Sequence, residues 1–312
     1  MTAPILPPTK ENIAAAAELL SKGGLVAMPT ETVYGLACDA SNPDAVARLY
    51  AAKGRPSFNP LIAHVPSLKW ARRIGQMNLD AIVLTGHGWP GPLTLVTKVG
   101  NPAHVCELAR AGLDTVAMRQ PAHPVAQALL SAFNGPLVAP SANPSGKISP
   151  TRAEHVAADM GEKVDMILDG GPCEIGVEST ILSCIDTPPT MLRHGAFDAS
   201  EFMQKHQDET KPLAPGGLSR HYAPNALLTL NVQAPVSGEA YLGFGPIDAP
   251  KARVTLNLSE TGNLNEAAAN LFTMLRQLDR TWARINVAPI PETGLGLAIN
   301  DRLARAAKRD ES

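Results

Sequence analysis

The chain has 312 residues, 45% of them apolar, and a formal net charge of −2. That length supports two domains with a full core in at least one, and the apolar share excludes a disordered chain. The near-neutral balance excludes an obligate nucleic-acid coat while leaving local basic patches open.

In chain order, "MTAPILPPTKEN" lacks a basic segment followed by an apolar core, and no run is long enough to span a bilayer, so a cytoplasmic protein without membrane contact is expected. "TKENIAAAAELLSKGG" predicts a helix with Thr9 as N-cap and Gly23 just past its end. "GLVAMPT" predicts a buried strand. "SNPDAVARLYAAKG" predicts a second helix, opened by Asn42 before Pro43 and closed by Gly54. "LIAHV", "LTLVTK" and "TVAMR" are short strand-like runs. "HPVAQALLSAF" is helical, "GPLVAPSAN" is a strand running into a polar turn, and "TRAEHVAADMG" is helical. "MILDGG", "STILSCI" and "TMLRHGA" are strand-like. Strands and helices thus mix over the first ~200 residues, the pattern of an α/β domain around a buried twisted sheet.

A polar, Pro- and Gly-rich stretch follows, "KHQDETKPLAPGGLSRHYAPNA", with no apolar periodicity. It reads as a linker, which divides the chain into a domain over 1–204, a linker over 205–224 and a smaller α/β unit over 225–312. In that last unit "ALLTLNV", "EAYLGFG", "ARVTLNL" and "ARINVAPI" are predicted strands. "NEAAANLFTMLRQLDRTW" sets Ala268, Leu271, Phe272, Leu275 and Leu278 on one helical face, and "AINDRLARAAKR" is the last helix.

Four stretches carry candidate chemistry. "PTETVYGL" ends a strand on hydroxyls and one carboxylate, where turns favour Asn, Asp, Gly and Pro. "KGRPSFNP" puts Lys53 and Arg55 in a turn, and no acidic residue occurs from Ala45 to Leu79 although Arg48, Lys69, Arg72 and Arg73 also fall there. An isolated pair of cations is usually a solvated loop. The missing acids make this one a candidate site for a polyanion such as a nucleotide triphosphate. "APSANPSGKISPT" offers small residues and hydroxyls after a strand, although its spacing is not that of a Walker A loop. "DGGPCEIGVESTI" ends a strand on Gly170 and Gly171 and then carries Glu178, Ser179 and Thr180. The histidines and the four cysteines show no metal-ligand spacing, so no metal-binding side chains are expected.

Together "PTETVYGL", "KGRPSFNPL", "WPGPLTLV", "VAMR", "APSANPSGKISPT", "GVESTI", "LRHGA" and "LAPGGLSRHYAP" resemble the L-threonylcarbamoyladenylate synthase family in its long form, over about two-thirds of the chain from Pro29 to Pro224. The resemblance implies a YrdC-like domain with a twisted mixed sheet and a large basic concavity, followed by a smaller Rossmann-like α/β domain. It implies that L-threonine, bicarbonate and ATP, with Mg2+, give threonylcarbamoyl-AMP and pyrophosphate. The product would feed tRNA threonylcarbamoyladenosine formation through separate transfer proteins, with at most a weak tRNA contact by this chain. Carried over residue by residue, it implies that Thr32, His64, Arg119, Ala139 and Ser179 hold L-threonine. Arg55, Asn59, Thr115, Ser141, Asn143, Ser149, Arg193 and Tyr222 would hold ATP, with Lys53 and Arg55 as the catalytic cations facing phosphate. Glu31 is placed only near the site. The linker would act as a lid, with Gly216 and Gly217 as its hinge and Arg220 and Tyr222 closing over the reactants. The competing expectation is a tRNA- or double-stranded-RNA-binding module without turnover, whose affinity would fall steeply with salt.

Overall fold

The structure, a computed structural model, describes residues 2–203, 221–234, 236–247 and 255–308. It divides into two compact units. The first comprises residues 1–145, 150–173 and 178–217, and the second comprises 146–149, 174–177 and 218–312. Two short stretches of the N-terminal chain therefore count with the second unit.

The elements of the first unit are β1 (Ile5–Leu6), α1 (Lys10–Ser21), β2 (Val26–Met28), β3 (Gly35–Asp39), α2 (Pro43–Lys53), β4 (Ile62–His64), α3 (Leu68–Ile74), α4 (Leu79–Gly88) and β5 (Leu93–Lys98). They continue as β6 (Thr115–Arg119), α5 (Pro124–Phe133), β7 (Leu137–Val138), α6 (Ala153–Met160), β8 (Met166–Leu168), β9 (Thr180–Ser183) and β10 (Thr190–Arg193). Local chemistry sets the predicted helix starts. Thr9 Oγ1 accepts from the Asn12 amide, and Asn42 Oδ1 accepts from the Asp44 and Ala45 amides just ahead of Pro43. Gly54 ends α2 in the left-handed conformation at φ 58°. Helices α3 and α4 fill a stretch for which the sequence predicts no element. The first has seven residues and no side-chain cap, and the second leaves Leu79 and Val83 exposed, which blurs its apolar stripe.

The strands form one ten-stranded mixed sheet in the order β1-β8-β2-β3-β7-β4-β6-β5-β9-β10. Alternation along its central strands decides which residues the core takes. Ala63, Val65, Val116, Met118 and Val138 point into the main core with Leu36, Leu49 and Ile167. Ile62, Val96, Ala117 and Ile181 form a separate small apolar strip on the other face. That second face carries the candidate site.

The second unit adds β11 (Leu227–Thr229), β12 (Ala240–Gly243), β13 (Thr255–Asn257), α7 (Leu264–Asp279), β14 (Arg284–Val287) and α8 (Leu295–Ala307). Its sheet runs β11-β14-β12-β13 with every pair parallel, the Rossmann-like arrangement that was expected. Ala268, Leu271, Phe272, Leu275 and Leu278 are all buried, as the helical periodicity requires. The expected hinge Gly216–Gly217 and Arg220 lie outside the described residues. Tyr222 lies within them, in the second unit, at φ 61°. Its ring stacks on Phe272 at 5.7 Å, with the Arg302 guanidinium 5.5 Å from its centroid. Among the described residues no helix is long and apolar enough to cross a membrane.

Candidate active site

Strand direction gathers one set of candidates at a single edge of the sheet. Strands β4 and β6 are parallel, with His64 level with Arg119 at their ends. Strand β5 runs antiparallel to β6, and extending the Leu95–Met118 register by one residue sets Thr94 across from Arg119. Strand β9 is parallel to β5, pairing Thr180 with Leu93, so Ser179 enters at the same edge. Residues two apart share a face, so His64, Arg119, Thr94 and Ser179 lie on the side of Ile62, Ala117, Val96 and Ile181.

Arg119 organises this edge. It is buried, and three of its five N–H groups are used. Nε donates to the Gly91 carbonyl at 3.1 Å, Nη1 to Thr32 Oγ1 at 2.9 Å and Nη2 to Glu31 Oε1 at 2.6 Å. Two N–H groups remain for a ligand, which suits a two-point contact with a carboxylate. Glu31, which the resemblance places only near the site, is the partner of this cation. Burial by itself raises the Glu31 carboxyl, but the charge and hydrogen bond of Arg119, together with backbone hydrogen bonds, hold the group below the usual carboxylate range.

The hydroxyls of "PTETVYGL" have fixed directions. Thr30 Oγ1 donates to the Val33 carbonyl at 2.6 Å, so in its 2.9 Å contact with Thr32 the proton belongs to Thr32. Thr32 Oγ1 also accepts from Arg119. A hydroxyl has one proton and two lone pairs. What Thr32 still offers is therefore an acceptor, and a ligand group meeting it there has to be an amine or a hydroxyl donor.

His64 is buried, and its Nδ1 lies 3.2 Å from the Ile62 carbonyl. Burial and then the charge of Arg119 push its imidazole down to about 3, so it is neutral at physiological pH. Ser179 Oγ contacts Thr94 Oγ1 at 2.7 Å and accepts from Arg193 Nη2 at 3.1 Å. The Arg193 Nε and Nη2 groups also donate to the Ser179 carbonyl at 3.1 and 2.9 Å. Arg193, expected among the ATP contacts, thus sits with Ser179. Thr94 was not singled out in the sequence, because a threonine inside "LTLVTK" looks like any strand residue.

A second set lies at the opposite strand ends. Extending the registers of β4 with β6 and of β4 with β7 sets Pro60, Thr115 and Ser141 level with one another. Pro60 and Thr115 border one small cavity with Leu61 and Arg110. Pro60 is four residues before His64, so the two sets are separated by roughly 13 Å along the strand. Arg55 holds the turn here, donating to the Asn59 and Pro60 carbonyls at 3.2 and 3.0 Å. Asn59 is 5% exposed, and its Nδ2 finds no acceptor among the described residues. A buried donor of that kind is costly unless something accepts from it.

The loop after β7 is split. Ala139 donates its amide to the Ile62 carbonyl at 3.2 Å. Lys53, expected to face phosphate, is buried instead, and its ammonium donates to the Ser141 and Asn143 carbonyls. Burial and the neighbouring Arg55 push its pKa well below the usual lysine range. In this structure Lys53 shapes the loop. Ser149 belongs to the second unit, where its carbonyl and that of Ile148 accept from Arg276. Tyr222, expected on ATP, is packed in that same unit as described above.

The profile of the family described as "Telomere recombination", Sua5_yciO_yrdC, matches residues 18–195. That described as "Threonylcarbamoyl-AMP synthase, C-terminal domain" matches residues 180–308. The chain is 40% identical to the threonylcarbamoyl-AMP synthase of Bacillus subtilis, over 95% of this chain and 92% of that one. It is 39% identical to the synthase of Pyrococcus abyssi, over 94% and 93%.

The chain belongs to the threonylcarbamoyl-AMP synthase (Sua5/YrdC) family.

The family fold extends over both units. The crystal structure of P. abyssi Sua5 complexed with L-threonine superposes with a TM-score of 0.87 at 37% identity, covering 96% of this chain and 95% of that one. A variant of the same Sua5, with a histidine and the tyrosine after it replaced by alanine, gives 0.86 at 36% identity, covering 96% and 93%. The α/β mixed-sheet domain and the C-terminal α/β domain are those of this family.

Proposed function

We propose that this chain makes threonylcarbamoyl-AMP from L-threonine, bicarbonate or CO2, and ATP, releasing pyrophosphate. The observation that carries the reading is the pair of polar sets at opposite ends of one apolar strip. Arg119, with two N–H groups left, and Thr32, with one lone pair left, match the carboxylate and a donor group of an amino acid. Arg55, Asn59, Thr115, Ser141 and Asn143 stand where a nucleotide would extend away from it. The amine of threonine bonds to the carbon of CO2 and loses a proton, which gives a carbamate. When bicarbonate is the source, that proton leaves with the displaced hydroxide as water. A carbamate oxygen then bonds to the α-phosphorus as the bond to the pyrophosphate oxygen breaks.

The protein's part is positioning and charge. Arg119 orients the amino acid, Thr32 accepts from its donor group, and the neutral His64 adds no second cation beside Arg119. Arg55 offsets the negative charge gathered on the phosphates. Among the described residues no three His, Cys, Asp or Glu side chains converge as metal ligands. The side chains named at the nucleotide end are a guanidinium, amides and hydroxyls, none of them a carboxylate, so Mg2+ would enter with the nucleotide and would supply charge neutralisation there. The mixed anhydride would pass to separate transfer proteins that place it on tRNA.

Pyrophosphate release measured with each substrate left out in turn tests this reading. The expected result is release only when threonine, bicarbonate and ATP are all present. Release that ignores threonine, or tight RNA binding with no release at all, overturns it.

A further inference from the structure

The Glu31–Arg119 ion pair lies at the amino-acid end, and the proposed reaction gives Glu31 nothing to do. Both side chains are almost wholly buried, at 7% and 5% exposure, with 2.6 Å between them. Such a pair is an expensive way to stabilise a fold, because two ions lose their hydration and apolar replacements often do as well. The Glu31 carboxylate is also held from its other side. Oε2 accepts from the Ala122 and His123 amides at 3.1 and 3.3 Å, the two residues that lead into α5. One carboxylate thus ties the turn after β2, the end of β6 and the start of α5 to a single point, and neither of its oxygens is free to rotate.

We infer that Glu31 is a positioning residue for Arg119: it fixes the guanidinium so that two N–H groups are presented together to the carboxylate of the amino acid. This rests on the reading of the pocket given above. Without Glu31, Arg119 keeps only the neutral Gly91 and Thr32 oxygens, and its fork turns about the side-chain bonds. With Glu31, the fork is pinned by three acceptors in different directions. The carboxylate also neutralises the buried cation before any ligand arrives, so an anion is drawn by oriented donors more than by an unpaired charge. Thr32 is fixed at the same time, because its lone pair is taken by the guanidinium that Glu31 holds. Selectivity for a ligand that carries a carboxylate therefore depends on a residue that never touches it.

E31Q tests the role. The glutamine oxygen can still accept from Ala122 and His123, but its NH2 then faces the Arg119 donors. Binding of L-threonine and of L-threoninol, which has a hydroxymethyl group in place of the carboxylate, is measured by calorimetry on the full chain. Wild type is expected to prefer threonine at least 10-fold. E31Q is expected to lose that preference because threonine binding weakens far more than threoninol binding. In turnover KM for threonine rises while KM for ATP holds. Because E31Q leaves a buried cation unpaired and can unfold, E31Q/R119M is compared with R119M. If Glu31 acts through Arg119, the two bind threonine equally. An E31Q protein that keeps the wild-type preference, or a further loss of threonine binding on adding E31Q to R119M, overturns the role of Glu31 alone. A wild type indifferent between the two ligands overturns the pocket reading itself, and the role with it.

Discussion

Arg55 and His64 stand at the two ends of the same strip, and their physical chemistry predicts opposite kinds of result. Arg55→Ala removes a cation that also staples its own turn through the Asn59 and Pro60 carbonyls. A charge-assisted contact is worth about 1.5–3 kcal/mol, so ATP affinity is expected to fall about 10- to 100-fold by calorimetry. Threonine binding measured without ATP should be unchanged, because its residues lie at the other strand ends. A threonine affinity that fell in parallel would show that the turn supports the whole site and not the nucleotide. His64 gives a pH prediction. Its folded value of about 3 lies below the ordinary 6.5, so the unfolded chain takes up the proton first. The contribution of a neutral His64 to stability is therefore complete above pH about 6.5 and is lost progressively as pH falls towards 3. The Glu31 carboxyl, also held down, acts in the same direction at the lower end of that window. Proton NMR should find no titration of the His64 ring between pH 5 and 8. An imidazole that titrates there would mean that the ring is solvated.

Among the elements, the β9–β10 pair is the most exacting. The two strands are antiparallel, with a register shift between Met191 and Arg193, and the chain then folds back at Gly195. A Cβ on Gly195 would lie 2.2 Å from both the Ser179 carbonyl carbon and the Thr180 amide nitrogen. Backbone cannot yield as a side chain can, so the glycine in "LRHGA" is required by close approach. Gly195→Ala is expected to push the turn off the start of β9, pull Arg193 away from Ser179 and lower the urea midpoint. Overpacking of this kind costs about 1–3 kcal/mol. An unchanged midpoint with unchanged threonine affinity would mean that the two segments are not in contact. The sequence marks the motif, but only the β9–β10 register shows which backbone the glycine meets. Lys53 makes the same point. Its place in "KGRP" suggests a phosphate contact, yet it is the last residue of α2, and from there its ammonium reaches the loop carbonyls of Ser141 and Asn143.

At the scale of the whole molecule, the four buried clusters described against the first unit's sheet lie within that unit. The stretches 146–149 and 174–177 do not count with it. Within the second unit, Arg276 donates to the Ile148 and Ser149 carbonyls, and Ala223 donates its amide to Gly146 at 2.8 Å. A chain ending just before Lys211 is therefore expected to fold, with the β-sheet amides protected as in the full chain, while hydrogen exchange at 146–149 becomes much faster. Protection of 146–149 in the shortened chain would show that the loop holds itself. The sequence by itself determined the α/β class, the capped helices α1 and α2, the apolar face of α7 and the family, because periodicity, caps and short motifs are written in consecutive residues. Only the tertiary structure decided that Glu31 is spent on Arg119, that Lys53 shapes a loop, that Thr94 meets Ser179 and that Tyr222 packs on Phe272. These pairings are set by strand order and register, which bring together residues up to 90 positions apart, and no local pattern encodes which distant partner a charge or a hydroxyl will find.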